Sequence, residues 1–174
     1  ALSFARHGAT VLLLGRTLAK LEAVYDEIEQ VGGAQRALLP LNLASASGSD
    51  YLQMAQMSET EIGRLEGILH NAAILGPLTP LQMYDPDTWD SVMSVNLRAP
   101  FQLTQALLPL LRQSPDASVL FTTSSVGRTA RAFWGAYAVS KAGIENLSKI
   151  FSDELANVSA IRFNCINPGA TRTN

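Results

Sequence analysis

The chain has 174 residues, 47% of them hydrophobic and 16% charged, with a net charge of −2, which suits one domain with a sizeable core rather than two. No cluster of Lys and Arg forms an electrostatic footprint for nucleic acid, and no apolar run approaches the roughly 18–20 residues of a membrane span. The single cysteine, Cys165, excludes an intramolecular disulfide, and two isolated histidines, His7 and His70, do not suggest a zinc site.

Residues 1–8 (ALSFARHG) read as the second half of an amphipathic helix rather than a signal peptide, and a cytoplasmic location is expected. Residues 9–15 (ATVLLLG) read as a strand. Thr17 is placed to cap a helix whose apolar positions are Leu18, Leu21, Val24, Tyr25 and Ile28, and Gly32 and Gly33 end it. Residues 35–41 form a second strand, 49–62 a helix and 65–70 (LEGILH) a third strand. A Pro/Gly loop leads to a long helical region over 87–112. A strand at 117–123, a helix at 136–156 and a strand at 159–166 complete the chain, with Cys165 as a small core residue.

Near-continuously apolar strands separated by helices indicate an α/β fold with a parallel sheet covered on both faces. The expectation is a doubly wound, three-layer αβα sheet of Rossmann type. Such a sheet has its first strand at the centre, followed by a glycine-rich phosphate loop. Here the chain opens in a helix and holds no GxGxxG stretch; Gly63 and Gly67 precede a strand instead of following one. The strands at 9–15 and 65–70 would flank an empty slot, which is costly. The expectation is therefore a fragment, lacking roughly 20 residues of strand, loop and helix start before Ala1.

Residues 135–141 read GAYAVSK, with Tyr137 and Lys141 four apart and so on one helix face. With so few tyrosines and lysines, that spacing arises by chance roughly 0.07 times per chain. Four further motifs accompany it: HNAA at 70–73, VNL at 95–97, TTSSVG at 122–127 and NPGATRT at 167–173. With them the chain resembles the short-chain dehydrogenase/reductase family over essentially its whole length. It is most similar there to bacterial oxidoreductases related to 3-oxoacyl-carrier-protein reductases.

The resemblance implies a catalytic set of Ser124, Tyr137, Lys141 and Asn96. The family serine lies thirteen residues before the tyrosine and three before a glycine, which selects Ser124 over Ser125. A phenol is a poor proton donor near neutrality, and an adjacent ammonium favours its ionised form. Lys141 would thus tune Tyr137, while Ser124 would polarise a substrate carbonyl as an oxyanion-hole donor does. Asn96 would shape a water relay to the lysine, or be a mid-helix Asn satisfied locally. Ser140 reads as a bystander on another face of the helix.

The resemblance also implies a single NAD(P)-binding domain over 1–174, truncated at both ends, since family members continue past this point into a mobile segment that lids the pocket. Tyr137 and Lys141 would contact the cofactor. Gly15 and Arg16 stand where NAD-preferring members carry an acidic residue for the ribose. An arginine can pair with a phosphate, so NADP(H) is favoured over NAD(H), unless Arg16 is only an exposed arginine beside a helix start. Asn42 and Leu43 would lie at the adenine, where the family has Asp and an aliphatic residue. Asn71 and Ala72 would lie near the cofactor ribose, with His70 read as a strand-end core residue. Pro168 and Gly169 would sit beside the nicotinamide, and Thr171 and Thr173 would hold its carboxamide.

Phe133 and Trp134 would line an apolar substrate mouth or pack on a partner subunit. The helices at 87–112 and 136–156, with Phe101, Leu107, Leu108, Leu147, Ile150 and Phe151, would build a homodimer or homotetramer, or simply pack the core. The expected activity is interconversion of a carbonyl and a secondary alcohol, small molecules, with 3-oxoacyl substrates as one candidate class. The alternatives are a catalytically silent dinucleotide sensor of the same fold and a Rossmann-like methyltransferase.

Overall fold

The computed structural model describes residues 1–33 and 37–169. They form two compact units, Ala1–Glu61 and Ile62–Asn174. Both are parallel α/β layers of Rossmann-like type, one sheet in each. No described helix is long and apolar enough to cross a membrane.

The first unit runs α1 (Leu2–Arg6), β1 (Leu13–Gly15), α2 (Leu18–Gln30), β2 (Leu38–Pro40) and α3 (Gly48–Ile62). β1 and β2 pair in parallel, Leu13 opposite Leu38 and Gly15 opposite Pro40. The apolar run from residue 9 yields only a three-residue strand, because only those residues have a paired neighbour. Ala5, Leu13 and Ile28 form a small buried core, with Leu21, Val24 and Tyr25 packed on it. Leu18, expected on that face, is exposed. Thr17 occupies the N-cap of α2, yet its hydroxyl makes no capping bond; its carbonyl accepts from Lys20 and Leu21 instead. Gly32 closes the helix with φ +71°, a conformation that suits glycine.

The second unit runs β3 (Gly67–His70), α4 (Pro86–Met93), α5 (Ala99–Leu111), β4 (Ala117–Thr122), α6 (Gly135–Leu155) and β5 (Ile161–Ile166). The strands lie in the order β3–β4–β5, all parallel, with His70 opposite Phe121 and Thr122 opposite Ile166. Along β4 the fully buried residues alternate: Ala117, Val119 and Phe121 face the packed side. They meet Leu111 of α5 and Ile144, Phe151 and Leu155 of α6 in one core, with Ile161 and Phe163 of β5. Cys165, expected in the core, is only partly buried at its margin.

The helical region expected over 87–112 is divided. α4 has a cap that the sequence reading did not name: Asp85 accepts from the Thr88 N–H at 2.8 Å and its hydroxyl at 2.6 Å, and Pro86 opens the helix. A π-helical turn, Ser94–Arg98, then separates α4 from α5. Its cause is Pro100. In an unbroken α-helix residue 100 donates to the carbonyl of Asn96, and proline has no hydrogen to donate. The helix widens at that point, as helices do where an i to i−4 bond is missing.

Candidate active site

The carboxyl ends of β3 and β4 converge, so that Asn71 and Thr122 lie side by side with Oδ1 and Oγ1 3.5 Å apart. Just past β4, Ser124 opens a 3-10 turn, Ser125–Gly127. Gly127 allows that turn to lie on α6: a Cβ there would meet the Lys141 backbone carbon at 2.8 Å. The start of α6 is crowded in the same way. A Cβ on Gly135 would lie 2.9 Å from the Tyr84 ring, so the glycine lets the segment after β3 reach the first turn of α6.

Tyr137 projects from that turn and Lys141 from the next. The Lys141 ammonium lies 5.5 Å from the centre of the Tyr137 ring and donates to the Thr122 carbonyl at 2.7 Å. Lys141 is 3% exposed. Burial pushes its ammonium from the ordinary lysine value down to about 8, with the Cys165 sulfur opposing the shift. Trp134 borders Tyr137, ring centres 6.0 Å apart. The hydroxyls of Ser124 and Tyr137 bond to no described residue, and one carbonyl takes only one of the ammonium's three protons. These unspent donors sit at the carboxyl ends of parallel strands, the usual ligand face of open α/β sheets.

Asn96 stands on the π-turn, 1% exposed. Its Oδ1 accepts from the Ile74 N–H at 2.8 Å, and its Nδ2 donates to the Ile74 carbonyl at 2.9 Å and to Ser140 at 3.1 Å. One amide proton therefore holds the segment after Asn71 and the other ties the π-turn to Ser140 of α6. The partners of the side chain lie 22 and 44 residues away, so it is not satisfied within its own helix, and the missing Pro100 donor leaves the Asn96 carbonyl without an α-helical partner. Ser140 is no bystander: it is fully buried and bonded to Asn96 and to the Tyr137 carbonyl. The proline four residues after Asn96 was the sequence signal for the turn, whereas nothing in the sequence signalled the role of Ser140.

Asn71 and Ala72 are exposed just beyond β3. His70 is buried at the strand end, bonded to Thr104 at 2.9 Å and stacked on Phe121 at 4.8 Å. Pro168 and Gly169 are exposed after β5, and Gly169 has φ +72° with open space beside its Cα. Thr171 and Thr173 lie outside the described residues. In the first unit, Arg16 is exposed directly after β1. Asn42 gives its amide oxygen to the Ala44 N–H at 3.2 Å, and Leu43 is buried.

Phe133 is the one non-glycine described residue with positive φ, +74°, and is exposed. Among the six apolar positions expected at a subunit interface, Leu107 and Phe151 belong to the chain's own core and Leu108 and Leu147 pack against it. Phe101 and Ile150 are exposed.

A nicotinamide dinucleotide suits this donor set: the Asn71 amino group, the Tyr137 hydroxyl and the Lys141 ammonium offer unspent donors at the carboxyl ends of the strands.

The chain is similar to known proteins in sequence and in fold. The chain is 46% identical over 173 residues to the uncharacterized oxidoreductase YciK of Escherichia coli, spanning 99% of this chain and 68% of that protein. The 3-oxoacyl-[acyl-carrier-protein] reductase FabG of Thermotoga maritima is more distant, at 29% over 172 residues, 99% of this chain and 68% of that protein. Among solved structures, a short chain dehydrogenase from Pseudomonas syringae superposes with a TM-score of 0.96 at 53% identity, covering 98% of this chain and 69% of that one. One from Escherichia coli CFT073, complexed with NADPH, superposes with a TM-score of 0.94 at 48% identity, covering 99% and 71%. The family model for the short chain dehydrogenases matches residues 1–174. By that match over its whole length, and by its likeness to these relatives, the chain belongs to the short chain dehydrogenase family.

Proposed function

We propose that the protein is an NADP(H)-dependent oxidoreductase that interconverts a carbonyl and a secondary alcohol. The observation that carries this reading is a buried ammonium, Lys141, beside a tyrosine whose hydroxyl is unspent. The bound cofactor supplies the hydride that adds to the carbonyl carbon. Ser124 holds and polarises the carbonyl oxygen. Tyr137 donates its proton to that oxygen as negative charge develops on it, and the Lys141 ammonium stabilises the phenolate left behind. Asn96 holds the segment after β3, and its carbonyl is available to a water that returns a proton toward Lys141.

NADP(H) is favoured because Arg16 follows β1 and solved relatives bind it. Fluorescence titration with NADPH and NADH tests this: NADPH binds more tightly, and Arg16→Ala removes most of the difference, roughly tenfold or more. Equal affinities, or tighter NADH, remove Arg16 from the site. The substrate is a small carbonyl compound, with 3-oxoacyl thioesters one class in view of the FabG relative; acetoacetyl-CoA is the first probe.

The reductive rate is also expected to depend on pH through Lys141. Its ammonium is charged below about 8 and lost above it. The rate constant for reduction should therefore fall as pH rises through about 8, the alkaline limb belonging to Lys141. A flat profile from pH 7 to pH 9.5 removes the lysine from the chemistry.

The exposed Phe101 and Ile150 support a homodimer or homotetramer through α5 and α6. The half-buried free Cys165 suits a reducing, cytoplasmic compartment.

A further inference from the structure

Ser140 is fully buried on the inner face of α6, and its hydroxyl makes two bonds of opposite sense. It donates to the Tyr137 carbonyl at 2.7 Å and accepts from Asn96 Nδ2 at 3.1 Å. A serine hydroxyl has one proton. With that proton given to Tyr137, Ser140 faces Asn96 only as an acceptor. This agrees with the way Ile74 holds the Asn96 amide: amino group to Ser140 and the Ile74 carbonyl, oxygen to the Ile74 N–H. A single run of hydrogen bonds thus joins the segment after Asn71, the π-turn and the backbone of Tyr137, and in a dry interior each bond polarises the next. Close by, a Cβ on Gly143 would meet the Leu97 side chain at 2.9 Å, so α6 lies tightly against the π-turn.

We infer that Ser140 is a positioning residue for the reaction. It ties Asn96 to the first turn of α6 and so sets Tyr137 relative to the segment carrying Asn71. Without its oxygen, a buried Asn96 N–H has no acceptor, a costly state. The amide keeps its two bonds to Ile74, but its second N–H is left unpaired, and the first turn of α6 loses its tie to the segment after β3.

The effect on turnover rests on the reductase reading, and the test separates the two. NADPH oxidation with acetoacetyl-CoA is measured for Ser140→Ala, Asn96→Ala, the double variant and Ser140→Thr, with NADPH affinity from fluorescence and thermal melting as a check on folding. The expected result for Ser140→Ala is a kcat loss of roughly tenfold with NADPH affinity unchanged. The double variant should be no slower than Asn96→Ala, and Ser140→Thr should restore the rate because it keeps the oxygen. Independent losses in the double variant, or a lower melting temperature with kcat intact, overturn the inference. Should Ser140→Ala not fold, Ser140→Cys, nearly isosteric with a weak sulfur acceptor, takes its place. Proton exchange of the Asn96 side-chain amide, read by NMR, needs no turnover: slow in the parent and fast in Ser140→Ala is expected, and equal rates overturn the inference. A parent protein without turnover, or full turnover in Tyr137→Phe, sinks the reductase reading alone, and the amide exchange still decides Ser140.

Discussion

Replacing Tyr137 with Phe should lower kcat for carbonyl reduction by roughly 10²–10⁴-fold, the usual worth of a positioned proton donor, with NADPH affinity lowered only about as much as one lost hydrogen bond allows, roughly two- to tenfold, and melting temperature nearly unchanged. The clean separation follows from the surroundings of the hydroxyl. Among the described residues it bonds to nothing, so its removal leaves no buried partner unsatisfied, and large stability losses come from such orphans or from cavities. The ring itself stays, with its contacts to Trp134 and to the Lys141 ammonium. What disappears is the proton. Hydride addition then builds an alkoxide with only the Ser124 hydroxyl to stabilise it. NADPH oxidation with acetoacetyl-CoA, fluorescence titration with NADPH and a thermal melt measure the three quantities. Full turnover in Tyr137→Phe removes the proton-donor role. Loss of turnover together with loss of fold would mean that the hydroxyl is structural.

Much of this site was legible because its chemistry depends on spacing along the chain. Tyr137 and Lys141 share a face because an α-helix repeats every 3.6 residues, and Ser124 follows a strand whose apolar run is plain in ASVLFT. The parallel α/β architecture was legible for the same reason, through apolar runs of strand length between longer amphipathic stretches. What escaped the sequence depends on which groups meet across the fold. Ser140 lies next to Lys141 in the chain, yet its role is set by Asn96, 44 positions away. The long helix over 87–112 follows from periodicity alone, and periodicity is blind to the one missing donor at Pro100 that widens it. Thr17 has the right residue type for a cap but makes no capping bond, while Asp85 does. A residue type licenses a cap; only the backbone angle of entry decides whether its oxygen reaches the N–H groups. His70 is the reverse case, a polar residue correctly read as core because it ends an apolar strand.

That buried histidine makes acid the main chemical threat to the second unit. Burial pushes the His70 imidazole from 6.5 down to about 3, because a charged ring would lose water and gain no anion. The unfolded chain binds a proton near pH 6.5 and the folded protein does not, so stability falls as pH drops from about 6.5 toward about 3. Each pH unit in that window costs up to about 1.4 kcal/mol, for a total of order 4 kcal/mol. A domain stabilised by roughly 5–15 kcal/mol would spend a large part of its margin there. Asp50 and Asp85 also hold their carboxyls below the usual range, through bonds to Ser47 and Thr88, and add to the acid loss. Comparison with His70→Asn removes them, since both proteins keep both carboxylates. The variant should be less stable at pH 7.5 by roughly 1–3 kcal/mol, having lost the stack on Phe121 and part of the ring volume. Below pH 6 its unfolding midpoint in urea should fall less steeply than the parent's, and the two curves should converge. Trp89 and Trp134 both report on the second unit, so one fluorescence signal follows the transition. Parallel curves from pH 7.5 to pH 4 would mean that His70 gains its proton without unfolding the protein, and the strand end would then have to open to water to accept it.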